Sequence, residues 1–478
     1  MTTFTSTTLL RARFAARLSA LSAAEVPAYR QLVEVSGQVN ADVLRGDPGR
    51  ADGLGSVDRV TAERHGAVRV GTPGELAQLA TVLGAFGMFP VGFYDLRDAA
   101  PTPIPVVSTA FRPVDARELA QNPFRLFVSV LVPEDRRFFT PDLAARVRTF
   151  LSARTLFPPR LLELARRARA DGGLDGPAAE ELLALAVASL ELDDEPIDRA
   201  WYEELQRVSS VAADIAGVPS THLNHLTPRV LDIDALHARM TALGVRMLDR
   251  IEGPPRWAGP DVLLRQTSFR ALDERRLLRE TDGTVVEGAL RVRFGEVEAR
   301  GVALTPAGRE RYDAARARAA ERSAPDHPTP AVLAESWAEH FPRTSAETAR
   351  SGIGHYTFTA TRRRGAPPTS SLTALLDDGR LTAHPIVYED FLPESAAGIF
   401  RSNLDGDGTS SRQREAAPRD VGWLCGVLDR PVHDPQQLYR AQTAHSLGRA
   451  ADVLGLRGIR DDRPAAPRGT VLPPARIC

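Results

Sequence analysis

The stretch HLNHLTPRV, residues 222–230, holds two histidines three apart at the head of an alternating apolar run. Neutral imidazole is the commonest protein ligand for a metal ion, so either His222 or His225 could hold one. The chain discriminates between them by repeating itself. HGAVRVGTPGELAQLATVLG, which starts at His65, aligns without gaps on HLTPRVLDIDALHARMTALG, which starts at His225. Both segments carry Arg at +4, Val at +5, Leu at +11 and Leu-Gly at +18 and +19. Self-similarity of this kind marks a duplicated strand–helix unit. The alignment pairs His225 with His65 and leaves His222 without a counterpart, because Ala62 occupies the matching position. Side chains alternate along a strand, so His225, Thr227 and Arg229 share one face, and His222 is expected on the other if the strand reaches back that far.

Two imidazoles do not complete a catalytic metal centre. A carboxylate is the expected third ligand, which leaves positions open for substrate and oxygen. RFGEVEARG, residues 293–301, offers Glu296 and Glu298 on one strand face. Both also fit a solvated face shared with Arg293 and Arg300, so the residues alone leave the choice open.

The elements that must position these groups follow from pattern. Residues 8–46 read as two helices broken near EVPAY, and the Ser/Thr-rich start reads as an amphipathic first helix rather than a transit peptide. GRADGLGSVD (49–58) is a loop. AVRVG is a strand, PGELAQLATVLG a helix opened by proline and ended by glycine, and MFPVGFYDL a second strand. Residues 115–215 are expected to be mostly helical. Residues 221–251 repeat strand–helix–strand, and 291–304 form a strand around a central glycine. Helix returns over 305–350, then short strands and loops over 351–400. The tail from about 457 is Pro/Arg-rich.

Composition narrows the chemistry. All 60 basic residues among 478 are arginine, which excludes Schiff-base, P-loop and lysine-base mechanisms. A net charge of −1 gives no bulk attraction to nucleic acid or anionic membrane. Two cysteines, Cys425 and Cys478, cannot build a disulfide framework, and a reducing cytoplasm is the expected setting. No apolar run approaches the 18 or so residues of a membrane span. No G-x-S-x-G elbow is present.

Several motifs together resemble the 2-oxoadipate dioxygenase/decarboxylase family, also called hydroxyglutarate synthase: RHGAVRVGT, NHLTPRVLDID, LLRQTSFRAL, VRFGEVEARGVALTPAGR and YEDFLPESAAGIFRSNL. EVPAYRQLVEVSGQVNADVL is similar too, so the resemblance runs from about residue 10 to 455. It implies an α+β fold with a vicinal-oxygen-chelate-like core of duplicated strand–helix–strand modules, near 60–100 and 221–304. A large helical insertion lies near 115–215. Residues 1–457 would form one catalytic domain, with 458–478 a tail. It also implies an iron(II) centre of His65, His225 and Glu296. Glu296 is preferred because EVEAR is similar to the ligand-bearing E-x-x-x-R strand of 4-hydroxyphenylpyruvate dioxygenase. By the same resemblance Arg69 grips the substrate's distal carboxylate, and backbone amides of PESAAGIF, at Glu394 and Ser395, hold a substrate carboxylate. Glu394 departs from the apolar residue expected there and places negative charge near an anionic substrate.

The implied reaction suits these residue types. Two neutral imidazoles and one carboxylate leave Fe(II) three open positions. A 2-oxo acid fills two of them and oxygen the third, and 2-oxoadipate would yield 2-hydroxyglutarate and CO₂ in lysine catabolism. Arg229 fits a buried ion pair or a functional role equally well. Gln266 and Thr267 could contact a ligand, Tyr388, Glu389 and Asp390 could orient the nearby loop, and His355 reads as structural. Three alternatives remain at this level: a metal-dependent isomerase or lyase, a non-catalytic metal-binding paralogue, and a dioxygenase for another 2-oxo diacid.

Overall fold

A computed structural model describes residues 4–46, 60, 62–99, 103–271, 273–290, 294–323, 329–363, 367, 369–392 and 416–464. Glu394, Ser395, Arg293 and Cys478 lie outside the described residues.

The chain opens with a short strand, β1 (Phe4–Ser6). The Ser6 hydroxyl accepts a hydrogen bond from the Leu9 amide and so starts the helix Thr7–Glu25. Leu10, Phe14 and Leu18 form its buried stripe. Val26, extended because a proline follows, ends it, and the helix Pro27–Gly46 begins. β2 (Arg64–Val70) runs into the helix Pro73–Ala85, whose entry is a capping box between Thr72 and Glu75. β3 (Phe89–Asp95), β4 (Val106–Arg112) and β5 (Arg125–Leu131) follow. Helices then dominate to Ala216, broken by two short strands, β6 (Gly173–Asp175) and β7 (Ile197–Asp198). β8 (Leu223–Pro228) leads into the helix Ile233–Ala242, capped by Asp232. β9 (Leu264–Ser268), β10 (Glu274–Arg279), β11 (Val285–Leu290) and β12 (Glu296–Arg300) come next. After three more helices, β13 (Tyr356–Ala360) and β14 (Leu381–Pro385) pair, and the helices Val421–Leu428 and Pro435–Leu454 complete the described chain.

The central sheet has the order β3-β4-β5-β2-β8. The expected α+β class holds, and so does the duplication: β2 and β8, the two histidine strands, are antiparallel neighbours, each followed by its helix. β12 pairs antiparallel with β9, and the Val230 amide donates to the Glu298 carbonyl at 2.8 Å, which seats β12 beside the end of β8.

The sheet is buried on both faces. Val68, Val70, Leu126, Val128 and Val130 pack outward against the helices Thr7–Glu25, Pro73–Ala85 and Pro159–Asp171. Ala110, Phe127 and Leu131 look inward, toward Val147, Ile215 and Phe391. His65 and Arg69 alternate with Val68 and Val70 along β2 and therefore lie on this inner face.

The stretch 115–215 is mostly helical as expected, but it also contains β5, which binds both β2 and β4. RLFVSVL is buried at all seven positions, so it lacks the alternation that betrays a half-exposed strand. The second module ends not in a full strand but in bridges, Met247 to Phe269 and Glu252 to Gln266. Gly84 lies inside the last turn of its helix, and the left-handed residue beyond the helix end is Gly87 (φ 65°).

Candidate metal centre

His65 and His225 meet because of strand register. His65 lies across from Thr227, and Ala67 across from His225, so the two histidines are diagonal neighbours on the inner face. Their ring centroids are 5.3 Å apart at an interplanar angle of 87°. Glu296, at the first position of β12, completes the group. One ligand atom from each residue lies within 4.8 Å of the others, and all three residues are buried.

The internal distances favour a shared ion over a hydrogen-bonded cluster. Glu296 Oε2 is 3.6 Å from His65 Nε2, and Oε1 is 3.6 Å from His225 Nε2. Both exceed a hydrogen bond, so the three donors surround a point without bonding one another. Ligands about 2.1 Å from a common ion stand roughly 3–3.5 Å apart, which these atoms nearly match. The donor set, two imidazoles and one carboxylate, fits a divalent transition metal with open positions.

Each ligand is supported from behind. His225 Nδ1 is 3.0 Å from the Thr227 hydroxyl, and Gln266 Nε2 reaches Glu296 Oε2 at 3.4 Å. Burial pushes His225 down to about 4, so its ring is neutral at pH 7. Burial opposes the charged form of His65 too, but Glu298 and Glu296 outweigh it and raise its pKa. Phe391 sits edge-on to His65 at 5.0 Å, and Phe294 lies 5.7 Å from His225, so aromatic rings shield the centre from water.

Glu296 and Glu298 share a face as expected, but neither is solvated: they are 3% and 0% exposed. They also do different things. Glu298 stands 2.9 Å from His65 Nδ1, on the far side of the ring from Glu296. Both its oxygens are gripped by Arg300, at 2.7 and 2.8 Å.

His222 is not among the ligands, and it does not point to the opposite face. A bulge in the β2–β8 pairing, where Ala67 faces His225 but Val68 faces Leu223, shifts the side-chain parity of β8. His222 Nε2 consequently lies 3.4 Å from Asp214 and 3.0 Å from Asn224 Nδ2. Asp214 is the ion-pair partner of Arg69, on the helix Ser210–Ala216. Burial would raise the Asp214 carboxyl, yet His222 and Arg69 hold it below its ordinary range.

The remaining candidates separate cleanly. Arg229 Nη1 pairs with Glu63 at 2.8 Å, so it is an ion-pair partner. Thr267 turns from the centre toward the Arg250 carbonyl, and His355 bonds Gln436 at 2.9 Å away from the site. Glu389 pairs with Arg125, and Asp390 with Arg112 and Tyr439. Sequence reasoning missed Glu63, Arg125 and Asp214. Glu63, two before His65, was visible as a carboxylate beside a ligand strand; the other two carried no local pattern.

Known proteins similar to this chain share one description. The sequence model described as 2-oxoadipate dioxygenase/decarboxylase matches residues 14–403. A Mycobacterium tuberculosis protein named 2-oxoadipate dioxygenase/decarboxylase is 59% identical over 432 residues, covering 90% of this chain and 96% of the relative. A Pseudomonas putida protein of the same name is 38% identical over 470 residues, covering 95% and 98%. The crystal structure of the hydroxyglutarate synthase in complex with 2-oxoadipate, from Pseudomonas putida, superposes with a TM-score of 0.82 at 36% identity. It covers 95% of this chain and 99% of that one.

Proposed function

The chain belongs to the 2-oxoadipate dioxygenase/decarboxylase family, and on that premise we propose that it converts 2-oxoadipate and O₂ to 2-hydroxyglutarate and CO₂, with Fe(II) held by His65, His225 and Glu296. The reaction balances. The keto acid loses its first carbon as CO₂, the keto carbon becomes a carboxyl group, and the neighbouring methylene gains the hydroxyl. The two oxygen atoms of O₂ account for the new carboxyl oxygen and the hydroxyl.

The observation that carries this reading is the convergence of two buried imidazoles and one buried carboxylate, unbonded to one another, on the inner face of the sheet. When bound, Fe(II) supplies redox chemistry toward O₂ and open positions beside the triad. The protein supplies the rest. Arg69, on the same face of β2 four residues beyond His65, docks the distal carboxylate through its planar fork. Phe127, Phe294 and Phe391 keep water from the reacting atoms. The family resemblance further assigns a substrate carboxylate to the backbone amides of Glu394 and Ser395, which lie outside the described residues.

Residues 1–457 act as one catalytic domain in this reading, because Tyr439, in the last described helix, hydrogen-bonds Asp390 and the Glu389 amide. The setting is the cytoplasm and lysine catabolism. Anaerobic loading with Fe(II), followed by oxygen-electrode assay with 2-oxoadipate, tests the proposal. Oxygen uptake matched by equal CO₂ and 2-hydroxyglutarate is expected. Iron binding without oxygen uptake would replace it with a non-oxidative metal enzyme or a binding paralogue.

A further inference from the structure

Four of the groups around His65 are charged and buried: Glu298 at 0%, Arg300 at 6%, Arg125 at 0% and Glu63 at 1% exposure. Buried ion pairs are a poor way to gain stability. Well-packed apolar residues of similar size do as well or better, because taking charges from water costs several kcal/mol per ion. What an apolar set could not do is present a fixed carboxylate to a histidine ring.

Neutral imidazole carries one N–H, and a metal needs the nitrogen without it. In His65, Nε2 is the atom turned toward Glu296, and Nδ1 is the atom 2.9 Å from Glu298. The charge of a carboxylate beside Nδ1 favours the proton there, by proximity rather than through an aligned hydrogen bond, and leaves the Nε2 lone pair for the ion. Glu298 can impose this only if it cannot turn away. Arg300 prevents that by taking both carboxylate oxygens through Nε and Nη2.

Arg300 is anchored in turn. Its Nη1 donates to the carbonyls of Tyr388 at 2.8 Å and Asp390 at 3.0 Å. The same guanidinium stacks on Phe391, 5.5 Å from the ring centroid, and Phe391 is the ring set edge-on against His65. Arg300 therefore holds His65 from two sides, through Glu298 at Nδ1 and through Phe391 at the ring.

We propose that Glu298 and Arg300 are positioning residues that lock His65 as an Nε2 ligand, so that metal affinity depends on a carboxylate that never touches the metal. The proposal rests on His65 being a metal ligand.

Titration of the full-length metal-free chain with Co(II), read by visible absorption, tests it, with melting of each metal-free variant as the check on folding. The variants are Glu298→Gln, Glu298→Asp, Arg300→Met, His65→Ala and Glu63→Gln. Glu298→Gln and Arg300→Met are expected to weaken Co(II) roughly 10–100-fold and to shift its absorption bands. Glu298→Asp keeps the charge for Arg300 but withdraws it from Nδ1, so it is expected to weaken binding as well. It decides the matter if the other two variants do not fold. Glu63→Gln breaks the same buried network at Arg125 and Arg229 and is expected to change affinity by no more than about threefold. Wild-type affinity and spectrum in the Glu298 variants, or an equal loss in Glu63→Gln, would overturn the proposal while leaving His65 a ligand. Unchanged binding in His65→Ala would overturn the metal assignment itself, and this proposal with it.

Discussion

Arg69 and Asp214 form a buried ion pair that joins the His65 face of β2 to the helix Ser210–Ala216. The cation assigned to the substrate's far carboxylate is thus already held, and its Asp214 is steadied by Asn224 at 2.8 Å and faced by His222. Removing Arg69 alone would strand a buried carboxylate, at a cost of about 3–5 kcal/mol. The cleaner experiment is Arg69→Met together with Asp214→Asn, which removes both charges. If Arg69 reads the distal carboxylate, the double variant loses roughly 30-fold or more in kcat/KM for 2-oxoadipate, since such a charge-assisted contact contributes about 2–5 kcal/mol. The monoacid 2-oxohexanoate should be affected little. Parallel losses on both substrates would make the pair purely structural.

The bulge at His225 yields a second prediction. It brings His222 to the inner side, yet gives it to Asp214 rather than to the centre. His225→Ala should weaken metal binding by more than about 100-fold, beyond the usual cost of losing an outer contact. His222→Ala should retain the metal and, through Asp214 and Arg69, raise KM for the diacid instead. Metal content after gel filtration and a KM determination separate the two; equal loss of metal from both variants would refute the assignment.

The part of this arrangement legible in the sequence was the part built from local pattern. The duplication at His65 and His225 was visible because equivalent strand–helix units must place Arg, Val, Leu and Gly at equivalent steps. The triad followed once EVEAR was set beside a similar ligand strand. The bulge was invisible, since nothing in HLNHL announces that Leu223 and Leu226 pack on the same side. For Glu298 and Arg300 a solvated face stayed open, because charge usually marks one; their burial depends on Arg125 and the Tyr388–Asp390 segment, far away in the chain. β5 was hidden for the opposite reason, its burial on both faces erasing the alternation.

Gly301 explains how β12 reaches its place. A Cβ there would fall 2.2 Å from the Asp261 carbonyl and 2.5 Å from the Val262 nitrogen, both backbone atoms that cannot step aside. The same residue donates to the Leu263 carbonyl and accepts from the Tyr388 amide, each at 2.9 Å. Gly301→Ala should therefore destabilise the chain by about 1–3 kcal/mol, as overpacking does, and weaken the metal by displacing Glu296. Denaturant melts with and without Co(II) measure both effects; a variant as stable as the wild type would show that the two segments can part.

Metal removal should be visible in the stability of the whole fold. His65 and His225 belong to the central sheet, but Glu296 belongs to the separate β9–β12 pair, so an ion held by all three would tie two sheets together. The unfolded chain holds no such site, and a ligand that binds only the folded state stabilises it by mass action, about 2.7 kcal/mol at a hundredfold excess over Kd. Chelation should therefore lower the melting temperature by several degrees, and adding Co(II) should restore it in proportion to the logarithm of its concentration. His65→Ala should melt at one temperature with or without metal. Glu298→Gln should still respond, but only at metal concentrations raised by its loss of affinity. A wild-type melt indifferent to chelator and Co(II) alike would mean that the three donors, despite their spacing, do not share an ion.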